Sequence, residues 1–335
     1  MMLHRRKNRG AALLMAMLTV TLVATFASAA MWQQWRGVEV EQAERARVQS
    51  GWILTGALDW ARLILNEDNK ATGAAGKADY LSEPWAVPLQ EAKLSAFLAA
   101  EKGVTTVASG DDSLEAFLSG EIVDLQSKLN VRNLLQTNGL ISEPGRISFS
   151  RLFETLGLPP AQLDTLVTNL RFAADLSPEN RSGPMAPLMP QRVDQLVWLG
   201  LAPETVAALQ PFVTLLPESA NKVNINTASA EVIYASVDGL SMADAQMLVA
   251  ERARSHFSTV GDASKVVSSS VKAAFDSGPV SVQSSYFESR GRLRLDAITV
   301  EERSVIQRNV GSVKALVRER GVVDSAPPAM PLPAR

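Results

Sequence analysis

Few residues in this chain are equipped for chemistry. Cysteine is absent and histidine occurs twice, as His4 and His256. Without thiols there is no disulfide framework, no thiol catalysis and no Cys-ligated metal. His4 sits in a basic N-terminal stretch, so imidazole catalysis would rest on His256 alone, and the ordinary role of a polar residue near a helix end is expected there. No Ser/His/Asp set, phosphate loop or metal-ligand spacing occurs, so no enzyme is expected. The chemically suggestive feature is a peptide bond. Arg5, Arg6, Lys7 and Arg9 fall within the first ten residues, with no acid among them, and Gly10 closes this leader directly before Ala11. Glycine leaves the backbone extended and unhindered beside a helix start, which suits proteolysis between Gly10 and Ala11.

The element that follows must position that bond. Residues 11–31 contain neither charge nor proline. At ~1.5 Å per residue, a helix of this length spans roughly 30 Å, the hydrocarbon thickness of a bilayer. The basic flank stays cytoplasmic, which places everything after Met31 in the periplasm of a bacterial inner membrane. Trp32 and Trp35 follow at headgroup depth. Three readings fit the segment: an ordinary signal anchor, a secretory peptide cleaved after Ala27-Ser28-Ala29, and a pilin-like leader cut before the apolar run. Residues 32–65 favour the third. They continue in helical register through Val48, Trp52, Ala57, Ala61 and Leu65, with Glu41 and Arg45 as an i,i+4 pair. Membrane helix and amphipathic helix together predict one spine of ~80 Å.

The 335 residues carry a net charge of −2 and are 46% apolar, enough for a real core. Beyond the leader the balance is 29 basic to 35 acidic residues, which disfavours a nucleic-acid binder. Residues 66–80 read as a glycine-containing loop, residues 85–89 as the start of an extended segment, and residues 120–126 as a strand. The chain from 136 to 275 reads as largely helical, with helices over 147–156, 160–174, 203–210, 230–236 and 242–254 and a short one at 193–196. Residues 176–190 form a proline- and glycine-containing loop. Strands follow over 279–283, 286–295, 297–307 and 312–320. Residues 324–335, with four prolines, are expected to be disordered. This order predicts an α+β fold: a long N-terminal helix on an antiparallel sheet interrupted by an all-α insert. The segments are a leader (1–10), a membrane helix (11–31), a periplasmic spine (32–65), a first part of the head (66–135), the insert (136–275), returning strands (276–323) and a tail (324–335).

Within the insert, residues 230–236, the Asp238-Gly239-Leu240 turn and residues 242–254, N-capped by Ser241, resemble a helix-hairpin-helix or SAM-like unit. Such hairpins can meet a DNA phosphate through glycine amides, so a membrane-anchored DNA-uptake protein is the alternative reading. Residues 219–262 carry three basic side chains (Lys222, Arg252, Arg254) against five acidic ones. That balance favours a packing or protein-contact module.

Four features in order, the Arg9-Gly10-Ala11 junction, Asp124-Leu125-Gln126 with Leu129-Asn130, Val223-Asn224-Ile225-Asn226-Thr227-Ala228-Ser229, and Tyr286-Phe287, resemble the K-type minor pseudopilins of type II secretion systems. Pilin-like proteins mostly carry glutamate at the fifth mature position, where it neutralises a neighbour's N-terminal ammonium. Counted from Ala11, that position is Met15. The K type lacks this glutamate and is placed at the filament tip, where no neighbour lies above it; an unpaired carboxylate in lipid would be costly there. The resemblance implies leader cleavage and N-methylation at Gly10–Ala11 by the prepilin peptidase. It also implies assembly with the I- and J-type minor pseudopilins, contacts with other pseudopilins and the assembly platform, and a role in starting or capping the pseudopilus that exports folded proteins across the outer membrane. Some members bind calcium in an acidic part of the insert. The corresponding stretch offers Asp175, Glu179 and Asn180, whereas calcium takes six to eight oxygens. A solvated loop and no cofactor are therefore expected.

Overall fold

The computed structural model describes residues 9–70, 78–94, 116–175, 177, 185–218, 221–276, 278–295, 298–309 and 311–322. The chain divides into two compact units, residues 1–55 and 56–335. The first helix, α1 (Arg9–Lys70), runs through both.

In the first unit α1 is a bare helix, with every residue from 11 to 45 exposed. Among the described residues it is the one helix long and apolar enough to cross a membrane. Its hydroxyls are satisfied internally: Thr19, Thr21, Thr25 and Ser28 donate to the carbonyls of Ala16, Leu18, Leu22 and Ala24 at 2.8–2.9 Å. In lipid, where no water can accept, that back-bonding removes the cost of each hydroxyl. The Trp32 and Trp35 rings lie 5.4 Å apart.

The second unit is built on a five-stranded antiparallel sheet. Its strands are β1 (Leu89–Lys93), β2 (Ala116–Asp124), β7 (Tyr286–Leu295), β8 (Ile298–Asn309) and β9 (Ser312–Val322), in the spatial order β1-β2-β7-β8-β9. Alternation fixes the faces. Phe287 pairs with Ile306, and both point with Val313 onto Leu58, Ala61 and Leu65 of α1, closed by Trp85. The Trp85 ring meets Phe287 edge-on at 5.1 Å. Burying each of these large side chains contributes about 1.5–3 kcal/mol.

The expected loop over 66–80 begins later than the composition suggests, because α1 continues to Lys70. Tertiary contacts override the polar composition: Asp68 pairs with Arg308, and Asn69 donates to the Asn309 carbonyl. Residues 71–77 and 323–335, including the expected disordered tail, lie outside the described residues. Residues 84–86 form a 3-10 turn, so the extended segment expected from 85 starts at Leu89.

The chain leaves the sheet at Asp124 and returns at Tyr286. Between them lie β3 (Leu129–Asn130), α2 (Glu143–Thr155), α3 (Pro160–Ala174), a 3-10 helix (Val193–Leu199), α4 (Pro203–Leu209), β4 (Val213–Thr214), β5 (Val223–Asn224), α5 (Ala230–Ser236), α6 (Met242–Arg254), α7 (Val260–Ser264), α8 (Lys272–Asp276) and β6 (Val280–Ser281). The helices enclose one core that includes Phe149, Phe153, Leu166, Leu170, Ile233, Leu248 and Phe275. Two short parallel pairs, β3 with β4 and β5 with β6, tie this block together near its connections to the sheet. Helix α2 starts four residues before the expected 147, because Ser142 accepts from the Gly145 amide at 3.2 Å as its N-cap and Pro144 fits the first turn. The expected strand over 279–283 shortens to β6.

Candidate functional site: the junction between insert and sheet

The residues that the sequence marks around 124 and 224 converge on one buried polar junction. Asp124 ends β2. Its Oδ1 accepts from the Gln126 amide at 2.7 Å, forming the turn that carries the chain into the insert. Its Oδ2 accepts from the hydroxyls of Thr227 and Ser284, both at 2.6 Å, and from Asn224 Nδ2 at 3.1 Å. Burial raises the Asp124 carboxyl above the usual aspartate range, and the Ser284, Thr227, Gln126 and Asn224 donors pull against that rise.

The asparagines work as backbone staples. Asn224 Oδ1 accepts from the Asn226 amide at 3.0 Å, and its Nδ2 lies 3.2 Å from the Asp79 carbonyl. Asn226 exchanges two hydrogen bonds with the Phe257 backbone, at 2.9 and 3.0 Å. Asn130 accepts from the Leu216 amide at 3.0 Å and donates to the Glu218 carbonyl at 2.7 Å. Gln126 links Lys222 O (2.9 Å) to the Ser285 amide (2.6 Å). An amide side chain suits each place because it offers donor and acceptor together to exposed backbone groups that no strand or helix satisfies.

Beside this lies a charge cluster with no motif in the sequence. Arg308 Nη1 is 2.7 Å from Asp68, and Nη2 is 2.6 Å from each Asp79 oxygen and 2.8 Å from the Ser284 carbonyl. The Ser284 amide in turn donates to Asp79 at 2.6 Å. Burial raises the Asp79 carboxyl, opposed by Arg308 and by the Ser284 amide. Ligand oxygens of Asp68, Asp79 and Glu83 lie within 4.8 Å of one another. Such a group would attract a cation, and here the Arg308 guanidinium supplies one to Asp68 and Asp79. Asp68, Asp79, Ser284 and Arg308 stand alone in the sequence, so only the fold identifies them as a set.

The hairpin is packed by its own protein. Gly239 adopts φ +76° at the turn. Arg151 of α2 donates to Tyr234 O (2.9 and 3.1 Å) and Leu240 O (2.6 Å), with its guanidinium 4.0 Å from the Tyr234 ring centre. Arg252 turns inward to the Ile225 carbonyl, and burial lowers its pKa to about 10. Arg254 leans toward Glu251. Arg252 thus serves the protein interior, while Arg254 stays 81% exposed beside a carboxylate. His256 follows the end of α6 and stacks on Tyr80 at 3.7 Å, 5° from parallel.

The remaining sequence-marked residues lie apart from the junction. Gly10 and Ala11 fall in the first turn of α1, and Met15 lies on it, fully outward at 69% exposure. Asp175 folds onto its own turn, accepting from the Ser177 amide (3.1 Å) and hydroxyl (2.6 Å), and these bonds lower its pKa. The other two calcium candidates, Glu179 and Asn180, lie outside the described residues.

Comparison with known proteins matches this architecture. Two family models, both described as type II secretion system protein K, match residues 127–218 and 223–283. The described fold is similar to a chain in the crystal structure of the GspK-GspI-GspJ complex from the enterotoxigenic Escherichia coli type 2 secretion system. The TM-score is 0.62 at 18% identity, covering 84% of this chain and 98% of that one. No curated protein matches in sequence. The two matched stretches follow one another through the insert and its polar junction, and over them this chain is similar to the type II secretion system protein K family.

Proposed function

We propose that this protein is the minor pseudopilin at the tip of a periplasmic pseudopilus, anchored by residues 11–31 in the bacterial inner membrane, N-terminus inside and head in the periplasm. It acts there as a structural subunit, not as an enzyme, and needs no cofactor. The observation that carries the reading is the pairing of stretches similar to protein K with an exposed helix whose apolar run begins at the Gly10–Ala11 junction. The buried junction supports a structural role, because its donors and acceptors are spent on holding insert to sheet. Prepilin peptidase cuts after Gly10 and methylates Ala11. Met15 supports the tip position, since a subunit with no neighbour above it has no ammonium to neutralise.

The I- and J-type minor pseudopilins are the proposed partners, by analogy with the GspK-GspI-GspJ complex. The test is co-purification of the full-length chain with both proteins from the same genome, expressed together and extracted in detergent. A stoichiometric three-protein complex is expected. A chain that elutes alone while the other two associate would refute the assignment. Binding of duplex DNA at physiological salt would favour the DNA-uptake alternative, against the hairpin's inward-turned Arg252 and its excess of acidic side chains.

A further inference from the structure

The turn that leads into α2 carries the chain's one Asn-Gly step, Asn138-Gly139. Its backbone is closed by the Gly139 amide donating to Gln136 O at 2.9 Å and the Gln136 amide donating to Leu140 O at 2.8 Å. Asn138 adds an Asx turn, its Oδ1 accepting from the Leu140 amide at 3.0 Å. An i to i+2 bond of this kind closes a ring that contains both Asn138 Cγ and the Gly139 nitrogen. The same Leu140 N–H is placed to stabilise negative charge that develops on Oδ1. Gly139 has no side chain to shield its nitrogen, and a Cβ at this position would meet nothing within 4 Å. Asn138 is exposed and lines a cleft of ≈ 520 Å³, so water reaches it.

Other asparagines make the same turn without the same access. Asn130 accepts from the Arg132 amide at 3.1 Å, and Asn224 from the Asn226 amide at 3.0 Å. Both are buried, at 2% and 0% exposure. Each is followed by a β-branched residue, Val131 or Ile225, whose two γ-branches crowd the amide nitrogen. The ring geometry is shared, whereas solvent access and an unhindered nitrogen come together at Asn138.

We infer that Asn138 is a site of spontaneous deamidation. The Gly139 nitrogen, released from Gln136 O when the turn opens, gives its proton to hydroxide and attacks Asn138 Cγ. The new N–Cγ bond closes a succinimide. The Cγ–Nδ2 bond breaks, and Nδ2 leaves as ammonia with a proton from solvent. Water then opens the ring. Hydrolysis at Cγ gives aspartate at 138, and hydrolysis at the Asn138 backbone carbonyl gives an isoaspartyl linkage that routes the main chain through the side chain. Either product adds a negative charge. The isoaspartyl form also lengthens the backbone inside the turn and disrupts the Gln136–Leu140 bond, just ahead of the Ser142 cap of α2. The insert therefore carries a chemical ageing point at its entry turn, and this inference stands independently of the minor-pseudopilin reading.

The experiment ages the full-length chain, folded in detergent, at neutral and at mildly alkaline pH, beside a sample unfolded in urea. Tryptic mass spectrometry then follows the peptide Asn133–Arg146 and the peptides that carry Asn130 and Asn224. The expected result is exchange of NH2 for OH at Asn138 in the folded chain, with aspartyl and isoaspartyl forms both present. It should run faster at the higher pH and leave Asn130 and Asn224 intact. Gly139→Ala should slow it about tenfold, by hindering the nucleophile, and a thermal melt of that variant reports whether the fold is retained. Conversion of Asn138 in urea but not in the folded chain would show that the turn protects it and overturn the site. An intact Asn138 in both samples would do the same. Equal conversion at Asn130 or Asn224 would overturn the role given to access and glycine.

Discussion

Arg308 Nη2 lies 2.6 Å from both carboxylate oxygens of Asp79, a residue 229 positions earlier in the chain. The pair joins the end of β8 to the segment that follows α1, and Ser284 bridges it to Asp124 and so to the insert. The side chains of Arg308 and Asp79 are 9% and 2% exposed. Removing one partner of such a pair strands a buried charge at a cost of about 3–5 kcal/mol. Arg308→Met should therefore lower unfolding stability at pH 7 by about that amount, measured by urea denaturation in detergent. The loss should shrink at pH 5, because burial already raises the Asp79 carboxyl and removal of the guanidinium takes away its main opposition to protonation. An equal loss at both pH values would contradict this account.

A second prediction concerns pH in the unmodified protein. Asp79 and Asp124 are raised in the folded state above the ordinary aspartate value of 3.8. Groups raised in this way stabilise the fold most at low pH and lose that contribution as pH rises through their folded pKa. Glu288 behaves oppositely. Arg303 and Arg290 hold it below 4.5 despite its burial, so its contribution disappears as pH falls below that value. Melting temperature should hold or rise from pH 7 to pH 5, then drop under stronger acid. In Asp124→Asn the gain toward pH 5 should be smaller. A steady fall in melting temperature from pH 7 to pH 5 would contradict it.

A third prediction tests close packing at the start of the insert. A Cβ on Gly145 in α2 would lie 2.0 Å from the Asn133 carbonyl oxygen, backbone against backbone. Neither side can yield without moving the Asn133–Asn221 staple. Gly145→Ala should cost on the order of 3 kcal/mol. Gly139→Ala, at φ +78° but with open space around it, should cost only about 1 kcal/mol, from backbone strain alone. Equal costs for the two variants would show that the contact at Gly145 is not tight.

Much of this was legible in advance, and the reasons differ by element. Strand β7 was readable to the residue because the adjacent aromatics Tyr286 and Phe287 mark its start and arginine and leucine alternate from Arg292 to Leu295. Helices α3, α5 and α6 were readable because proline or serine marks their starts. The asparagines at 130, 224 and 226 stood out as a resemblance, though their work as backbone staples became visible only with the fold. The β3–β4 and β5–β6 pairs were invisible because two-residue parallel strands carry no period. Arg308 and Asp79 were hidden for a related reason: a pair 229 residues apart leaves no local pattern, and a charged residue in a strand reads as a solvent face until its partner is found.

A fourth prediction concerns Met15. Met15→Glu places a carboxylate at the position where other pilin-like subunits use one. Membrane insertion of the 21-residue span should persist, because one charge near its start is tolerable. Recovery of the three-protein complex should fall, since no ammonium lies above the tip to pair with it. Undiminished recovery of both partners with Met15→Glu would count against a tip position.

The central claim concerns what α1 is, and intact mass with N-terminal sequencing of the membrane-extracted protein tests it most directly. The account predicts a mature chain that begins at N-methylated Ala11 and retains the whole apolar helix. A mature chain beginning at Ala30 would show a discarded secretory peptide and contradict it.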